Sequence, residues 1–226
     1  MMAPNKLEMQ IKAFQDDPEL TLCFTRVAIC NENDHVLNIC DHYPEDDQGI
    51  KHFIKNRTAF PCGNLASMMF RKIELTKHGG YQAFFEGIGS WDIDLALRIL
   101  SMKNSKAFTL PYPLHFWRKH SLSFSRKVNL NPMKNQSHRF AHLLYHQRLQ
   151  FEKDDLSGLG SGELAKLILK IRDDYKSDPS RIFREIAKSK DQPKNVRVHY
   201  GLEAIKSNPL SFTNYRYLLK ALLTKL

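Results

Sequence analysis

The 226-residue sequence has no long apolar run and few cysteines. Because no stretch of about 18 apolar residues occurs, the sequence predicts no transmembrane helix. Its first residues, MMAPNKLEMQIKAF, lack an apolar segment followed by a small-residue cleavage site, so we expect no secretory signal peptide. The four cysteines have neither C-x-x-C spacing nor the density of a disulfide framework. We therefore expect reduced thiols in a cytoplasmic protein.

Acidic residues are scarce in the second half of the chain. Residues 1–113 carry 12 Lys/Arg and 14 Asp/Glu, a net charge of −2, whereas residues 114–226 carry 22 and 10, a net charge of +12. This asymmetry favours a polyanion, an anionic membrane surface or a phosphate-bearing ligand, although solvated faces of amphipathic helices explain the charges equally well. No basic-aromatic platform accompanies the charge, so we do not expect nucleic acid as a partner.

Strands and helices alternate in the predicted structure of the first 126 residues. Runs of apolar and β-branched residues predict strands at 20–30, 35–39, 64–71, 107–110 and 114–118, and helical periodicity predicts helices at 5–14, 50–55, 72–78 and 91–102. The first helix is expected to bury Leu7, Ile11 and Phe14, which recur at helical spacing. Residues 111–113, Pro-Tyr-Pro, are expected to form a rigid connector between two strands.

Only helices are predicted beyond about residue 132. Breakers rich in Gly, Ser and Pro separate helical segments near 133–152, 161–176, 179–189, 196–207 and 211–225. The last segment has an apolar face made of Leu218, Leu219, Leu222, Leu223 and Leu226. This face would either lie on a membrane surface or pack on the GT-A core or on neighbouring helices, and packing is the favoured alternative. The sequence thus divides into an α/β segment, residues 1–126, and a basic helical extension, residues 127–226.

Two carboxylates open the helix predicted at residues 91–102. Asp92 and Asp94 stand in its first turn, where the helix dipole favours negative charge and where Ser90 or Asp92 can act as the N-cap. Residues two apart on a helix project roughly 200° from each other, so both carboxylates cannot face one ligand. If one acts as a base, the other is expected to hold the helix or to pair with a cation.

A second polar stretch follows the last predicted strand. Arg118, Lys119 and His120 all present donors to an anion, and the serines that follow them can do the same. An ordinary polar loop has the same composition, so this stretch alone does not decide between a phosphate clamp and a surface loop.

Four short blocks occur in a fixed order along residues 64–125. They are Met69-Phe70-Arg71-Lys72, then Gly79-Gly80-Tyr81, then WDIDLALR at 91–98, and finally PLHFWRKHSLS at 113–123. Their order and spacing resemble the acceptor-side half of a family-2 inverting glycosyltransferase. The resemblance covers about residues 3–126 and implies a partial GT-A fold, that is, a mixed sheet like that of nucleotide-diphospho-sugar transferases, followed by an all-helical tail.

The resemblance also implies a reaction and roles for particular residues. Asp92 matches the general base that deprotonates an acceptor hydroxyl while a sugar is transferred, with inversion, from a nucleotide sugar. Trp91 stands where the family usually has Glu, and we expect it to stack on a sugar ring. Further roles are implied by position: acceptor-side support for Asp94 and Arg98, and contacts to the leaving diphosphate for Arg118 and His120.

The family's nucleotide-binding units and its D-x-D motif, which ligates Mg²⁺ or Mn²⁺, are not recognisable in this sequence. The acidic pairs Asp16-Asp17 and Asp46-Asp47 do not end a predicted strand in the right context, so we assign no metal ligand. We expect a truncated or split enzyme of polysaccharide biosynthesis, inactive until another chain or an upstream reading frame supplies that half.

The expected partners are a nucleotide sugar and a glycan, glycolipid, lipid-linked or protein acceptor. The alternative is a non-catalytic saccharide- or partner-binding module derived from a glycosyltransferase. In that case the basic tail would dock peripherally on phosphates at the cytoplasmic face of a membrane.

Overall fold

The protein is described by a computed structural model that covers residues 1–41, 43–56, 65–120, 127–158, 160–189 and 192–223. Over these residues the predicted α/β class is confirmed, with a four-stranded mixed sheet and ten α-helices. The chain forms two compact units, one made of Met1–His120 and Gln136–Leu164, the other of the described parts of Ser121–Asn135 and Ala165–Leu226.

The elements follow one another in a simple order. The strands are β1 (Leu22–Cys30), β2 (Val36–Cys40), β3 (Met69–Phe70) and β4 (Ala107–Arg118). The helices are α1 (Lys6–Asp16), α2 (Asp47–Asn56), α3 (Lys72–Lys77), α4 (Trp91–Leu100), α5 (Pro132–Asn135), α6 (Ser137–Phe151), α7 (Glu163–Ser177), α8 (Ser180–Lys188), α9 (Lys194–Ser207) and α10 (Phe212–Leu223). The sequence division at residue 126 does not coincide with the two units, because α6 packs on α4 within the first.

Strand β1 is the centre of the sheet. It pairs in parallel with β4 along its whole length and antiparallel with both β2 and β3. Its nearly continuous apolar sequence matches its burial on both faces. The strands predicted at residues 20–30 and 35–39 are confirmed, and they form a hairpin in which β2 returns antiparallel after the turn at residues 31–35.

The strand predicted at residues 64–71 is wrong for most of its described length. Leu65–Ser67 forms a 3-10 turn, and only Met69–Phe70 is a strand; residue 64 lies outside the described residues. β2 occupies the same edge of β1 at Val27–Cys30, and β3 pairs there with Leu22 and Cys23 alone.

The rigid connector predicted at residues 111–113 is instead part of β4. The strand continues from Ala107 to Arg118, and two shifts of register on either side of Arg26 take up the extra residues. Leu110 lies opposite Thr25, and Pro113 lies opposite Arg26. Proline has no N–H to donate to a ladder, so the irregular register occurs where the two prolines would leave pairing incomplete.

Polar contacts, together with the packing of Met9, Ala13 and Phe14 on the core, orient α1. Leu7 and Ile11, predicted to be buried, are exposed, whereas Lys6 and Gln10 are buried. The amide of Gln10 donates to the carbonyl oxygens of Cys23 (3.0 Å) and Ser67 (2.9 Å), and the Lys6 ammonium donates to the Gln10 side chain. Because these backbone carbonyls are buried, the helix turns its amide side to the sheet.

Arg71, in the first of the four blocks, holds the connection between α1 and β1. Its Nε donates to the carbonyl of Leu20 (3.1 Å), and its Nη2 donates to those of Phe14 (3.2 Å) and Pro18 (3.0 Å). The guanidinium also lies 5.1 Å from the centre of the Phe14 ring. One side chain therefore satisfies three carbonyls where α1 ends.

We expect Arg71→Met to lower the free energy of unfolding of the first unit by about 2 kcal/mol, because three carbonyls lose a charged donor. The neighbouring exposed residue gives a matched control, since Lys72→Met is expected to change stability by no more than about 0.5 kcal/mol. Urea unfolding followed by tryptophan fluorescence measures both, because Trp91 and Trp117 lie in the first unit. Equal stabilities of the two variants would contradict the assigned role.

In the second unit, α8, α9 and α10 pack against one another. Gly201 of α9 lets α10 approach closely, because a Cβ at this position would lie 3.1 Å from the Cα of Leu218. The buried side chain of Asn214 donates to the carbonyls of Ala204 and Asn208, each at 2.8 Å. These contacts fix which side of α10 faces its neighbours.

Candidate functional site

The turn that leads into α4 has a strained backbone. Gly89 and Ser90 both have positive φ, +87° and +66°, and Ser90 is a residue type that rarely adopts this conformation. The predicted N-cap is not formed by Ser90, whose hydroxyl is hydrogen-bonded to that of Ser137 at 2.7 Å. Asp92 instead accepts the backbone N–H of Ile93 at 2.9 Å. The serine pair thus fixes the start of α4 against the start of α6.

Asp94 lies in a buried ion network formed by Asp94, Arg98, Arg148 and Asp154. Its Oδ2 accepts Nε of Arg98 at 2.9 Å, and its Oδ1 accepts Nη2 of Arg148 at 3.1 Å. Arg148 in turn donates from Nε to Asp154 at 2.5 Å. All four side chains are at most 10% exposed. Two carboxylates thus neutralise two guanidinium groups where water is excluded.

Arg98 also connects α4 to the Gly-Gly-Tyr block. Its Nη1 and Nη2 donate to the carbonyls of His78 and Gly80, at the end of α3. Gly79 and Gly80 have φ values of +70° and +68°, which favour glycine. Burial lowers the pKa of Arg98, with the Asp94 carboxylate opposing that shift. Two of the four sequence blocks, the Gly-Gly-Tyr block and α4 itself, are therefore direct partners.

The two carboxylates of α4 have opposite surroundings, as their spacing predicts. Asp94 is fully buried, whereas Asp92 is only partly buried. Trp91 precedes Asp92 and is 40% exposed. The ring of Trp91 and the carboxylate of Asp92 are therefore adjacent at the N-terminus of α4, whereas the carboxylate of Asp94 is buried. An aromatic ring suits the apolar face of a sugar, and a carboxylate suits a hydroxyl proton.

Arg118 lies at the end of β4 and is paired with the turn between β1 and β2. Its Nε and Nη2 donate to the two oxygens of Asp34 at 2.6 and 2.8 Å, which raises the pKa of Arg118. His120 is partly buried two residues later, and residues 121–126, which carry the serines of the fourth block, lie outside the described residues. The contacts of Arg118 therefore associate it with Asp34 rather than with α4.

The two acidic pairs, Asp16-Asp17 and Asp46-Asp47, line one pocket of about 400 Å³. Three of these carboxylates make other contacts: Asp17 pairs with Lys106 at 2.6 Å, and Asp46 and Asp47 accept the backbone N–H groups of Gly49 and Ala107, each at 2.8 Å. Across the described ranges, no group of three His, Cys, Asp or Glu side chains could hold a metal ion. The residues present do not fit the Mg²⁺ or Mn²⁺ that the resemblance implies.

Among the thiols that the structure describes, the buried Cys23 is a poor candidate nucleophile. Cys23, Cys30 and Cys40 are free, and Cys62 lies outside the described residues. Burial raises the pKa of Cys23 to about 11, so this thiol stays protonated at neutral pH. Carboxylate chemistry at α4 therefore remains the best-supported candidate.

Sequence reasoning missed two members of the buried ion network. Arg148 is 54 residues from Asp94, in a helix whose charges looked like those of a solvated face. Asp154 carries a readable local signal, because it forms a capping box with Ser157, but that signal predicts a turn and not a partner for Arg148. Contacts between distant helices leave no periodic mark in a single sequence.

Comparisons with known proteins give no relative for this site: no family model, no curated protein and no solved structure matches the chain. Among the described helices, none combines the length and the apolar character that crossing a bilayer requires.

Asp94→Asn is expected to lower the free energy of unfolding of the first unit by about 3 kcal/mol or more, because two buried guanidinium groups lose a shared counter-charge. Asp92→Asn is the matched control, an identical change two residues away, and should alter stability by no more than about 0.5 kcal/mol. Urea titrations monitored by tryptophan fluorescence compare them. If the two variants are equally stable, Asp94 does not hold α4.

Proposed function

We propose that this chain is the acceptor-side part of an inverting, GT-A-type glycosyltransferase in which Asp92 is the general base. The observation that carries the proposal is the contrast within one helical turn. Asp94 is fully buried in the ion network, whereas Asp92 is partly exposed beside Trp91. The carboxylate of Asp94 fixes the helix, and the carboxylate of Asp92 stays accessible to an acceptor hydroxyl.

In the proposed reaction Asp92 removes the proton of an acceptor hydroxyl. The hydroxyl oxygen forms a bond to the anomeric carbon of the donor sugar as the bond to the nucleoside diphosphate breaks, which inverts the configuration. A base assists such a step only if it is held within hydrogen-bond distance of the proton. The ion network and the hydrogen bond between Ser90 and Ser137 support this positioning, because they anchor α4 at both its buried side and its start.

The donor side of the reaction requires groups that the described residues do not offer. The resemblance implies a nucleotide-binding half with a divalent ion, and three of the four carboxylates in the acidic pairs here make other contacts. We therefore expect transfer only when that half is supplied on the same or on another chain. The free cysteines support a cytoplasmic location for this activity.

The second candidate function is a saccharide-binding module without catalysis. Arg118, to which the resemblance assigns a diphosphate contact, already has both donors of its fork on the carboxylate of Asp34. An arginine engaged in this way is a poorer partner for a leaving phosphate. In this alternative Trp91 and Asp92 bind a sugar, and nothing is transferred.

The first test begins with the DNA upstream of the Met1 codon. We expect an in-frame continuation that encodes a strand ending in D-x-D. Its product joined to this chain should transfer labelled sugar from a nucleotide sugar, and Asp92→Asn should lower kcat at least about 100-fold because the proton acceptor is lost. The chain alone, with Mn²⁺ added, is expected to show no transfer.

Three results would count against this assignment. Turnover that survives Asp92→Asn would exclude the general-base role, and robust turnover by the chain alone would exclude the need for a second half. A separate start signal at Met1, together with saccharide binding and no transfer, would favour the binding module.

Trp91→Ala is expected to weaken binding of the acceptor saccharide about three- to tenfold, because a stacking platform is removed. Trp91→Phe should retain most of the affinity. The chain has only one other tryptophan, so Trp117→Phe is the natural control and should leave affinity unchanged. Calorimetric titration with glycan fragments measures all three variants, and an unaltered affinity for Trp91→Ala would exclude stacking.

A further inference from the structure

The last helix of the second unit, α10, and the turn before it expose an unusual amount of apolar side chain. The most exposed residues are Leu210 (95%), Phe212 (83%) and Leu223 (78%), followed by Leu219 (55%) and Leu222 (46%). We call these five residues the α10 apolar face. Single exposed leucines are common on protein surfaces, but five in a 14-residue stretch are not scattered.

Helical geometry places this face on the outer side of α10. Asn214 and Ala221, seven residues apart, are fully buried against α9 and α8. At 3.6 residues per turn, Phe212, Leu219 and Leu223 lie on the opposite side. Packing on neighbouring helices, one of the two packing alternatives favoured from the sequence, is therefore wrong for Leu219, Leu222 and Leu223. Leu218 is partly buried beside Gly201, and residue 226 lies outside the described residues.

Basic residues border the α10 apolar face. Arg216 and Lys220 are exposed and lie along one side of the stripe, at the next positions around the helix. Lys206, at the end of α9, is also exposed, but it pairs with Glu203 at 2.7 Å. The segment 165–226 as a whole has 14 Lys/Arg and 6 Asp/Glu. The surroundings of the face therefore attract anions.

We propose that the α10 apolar face inserts into the headgroup region of an anionic lipid bilayer, with Arg216 and Lys220 contacting lipid phosphates. A helix with an apolar face and a basic border lies in the plane of a membrane interface without spanning it. Lipid is favoured over a protein partner because Leu210 and Phe212 project almost fully into solvent. A bilayer accepts projecting side chains with no complementary pocket, and the basic border matches its negative charge.

Vesicle co-sedimentation tests the proposal with the full chain and no nucleotide sugar. We expect binding to phosphatidylcholine vesicles that contain phosphatidylglycerol and much weaker binding to phosphatidylcholine alone. Phe212→Gln combined with Leu223→Gln should weaken binding at least about tenfold, because two inserted side chains are lost. Arg216→Gln combined with Lys220→Gln should weaken it about fivefold for each charge removed.

The control makes the same apolar-to-polar change on another exposed helix surface. Leu7→Gln combined with Ile11→Gln removes two half-exposed residues of α1 and should leave vesicle binding unchanged. Circular dichroism and thermal unfolding should match for all variants, because none of the substituted side chains is buried.

Several outcomes would overturn the proposal. No vesicle binding, or binding that the Phe212 and Leu223 variants leave unchanged, would exclude insertion. Self-association in the absence of lipid, seen by analytical ultracentrifugation and abolished by the same two substitutions, would assign the face to a second copy of the chain. None of these results bears on Asp92, since transfer and vesicle binding are measured separately.

Discussion

Placing the carboxylate of Asp94 between two guanidinium groups sets the geometry of the first unit. A charge withdrawn from water is tolerated only when opposite charges and hydrogen bonds replace the water, and here Arg98 and Arg148 provide both. Each arginine then binds further: Arg98 reaches the carbonyls at the end of α3, and Arg148 reaches Asp154. The hydrogen bonds to the two buried oxygens of Asp94, together with the further contacts of the arginines, thus fix α4 relative to α6 and to the Gly79-Gly80 turn.

The sheet and the ion network contribute differently to the candidate site. Strand β1, paired on both edges and buried, gives the rigid frame, and Arg71 fastens α1 to it through three carbonyls. The network then orients α4 so that Asp94 faces inward and Asp92 and Trp91 stand at the helix start. Contacts spread over the first unit therefore hold the partly exposed Asp92 at its surface.

Local sequence patterns predict the positions of the helices and strands better than they predict which side chains contact one another. The continuous apolar run of β1 and the Gly79-Gly80 stop after α3 are both visible in the sequence, because each depends on residues close in the chain. The inward side of α1 is not, since Gln10 is drawn to carbonyls of Cys23 and Ser67 that periodicity cannot reveal. For the same reason the spacing of Asp92 and Asp94 predicts their different burial, but it does not predict that Arg148 pairs with Asp94.

The separation of Asp94 from Arg148 has a consequence for how the protein is made. The two residues are 54 positions apart, so during synthesis α4 leaves the ribosome several seconds before its second counter-charge does. Until then Asp94 has only Arg98, and the interface that α6 later covers stays open to solvent and to chaperones. The first unit is therefore completed late, by a segment that follows the start of the second unit in the chain.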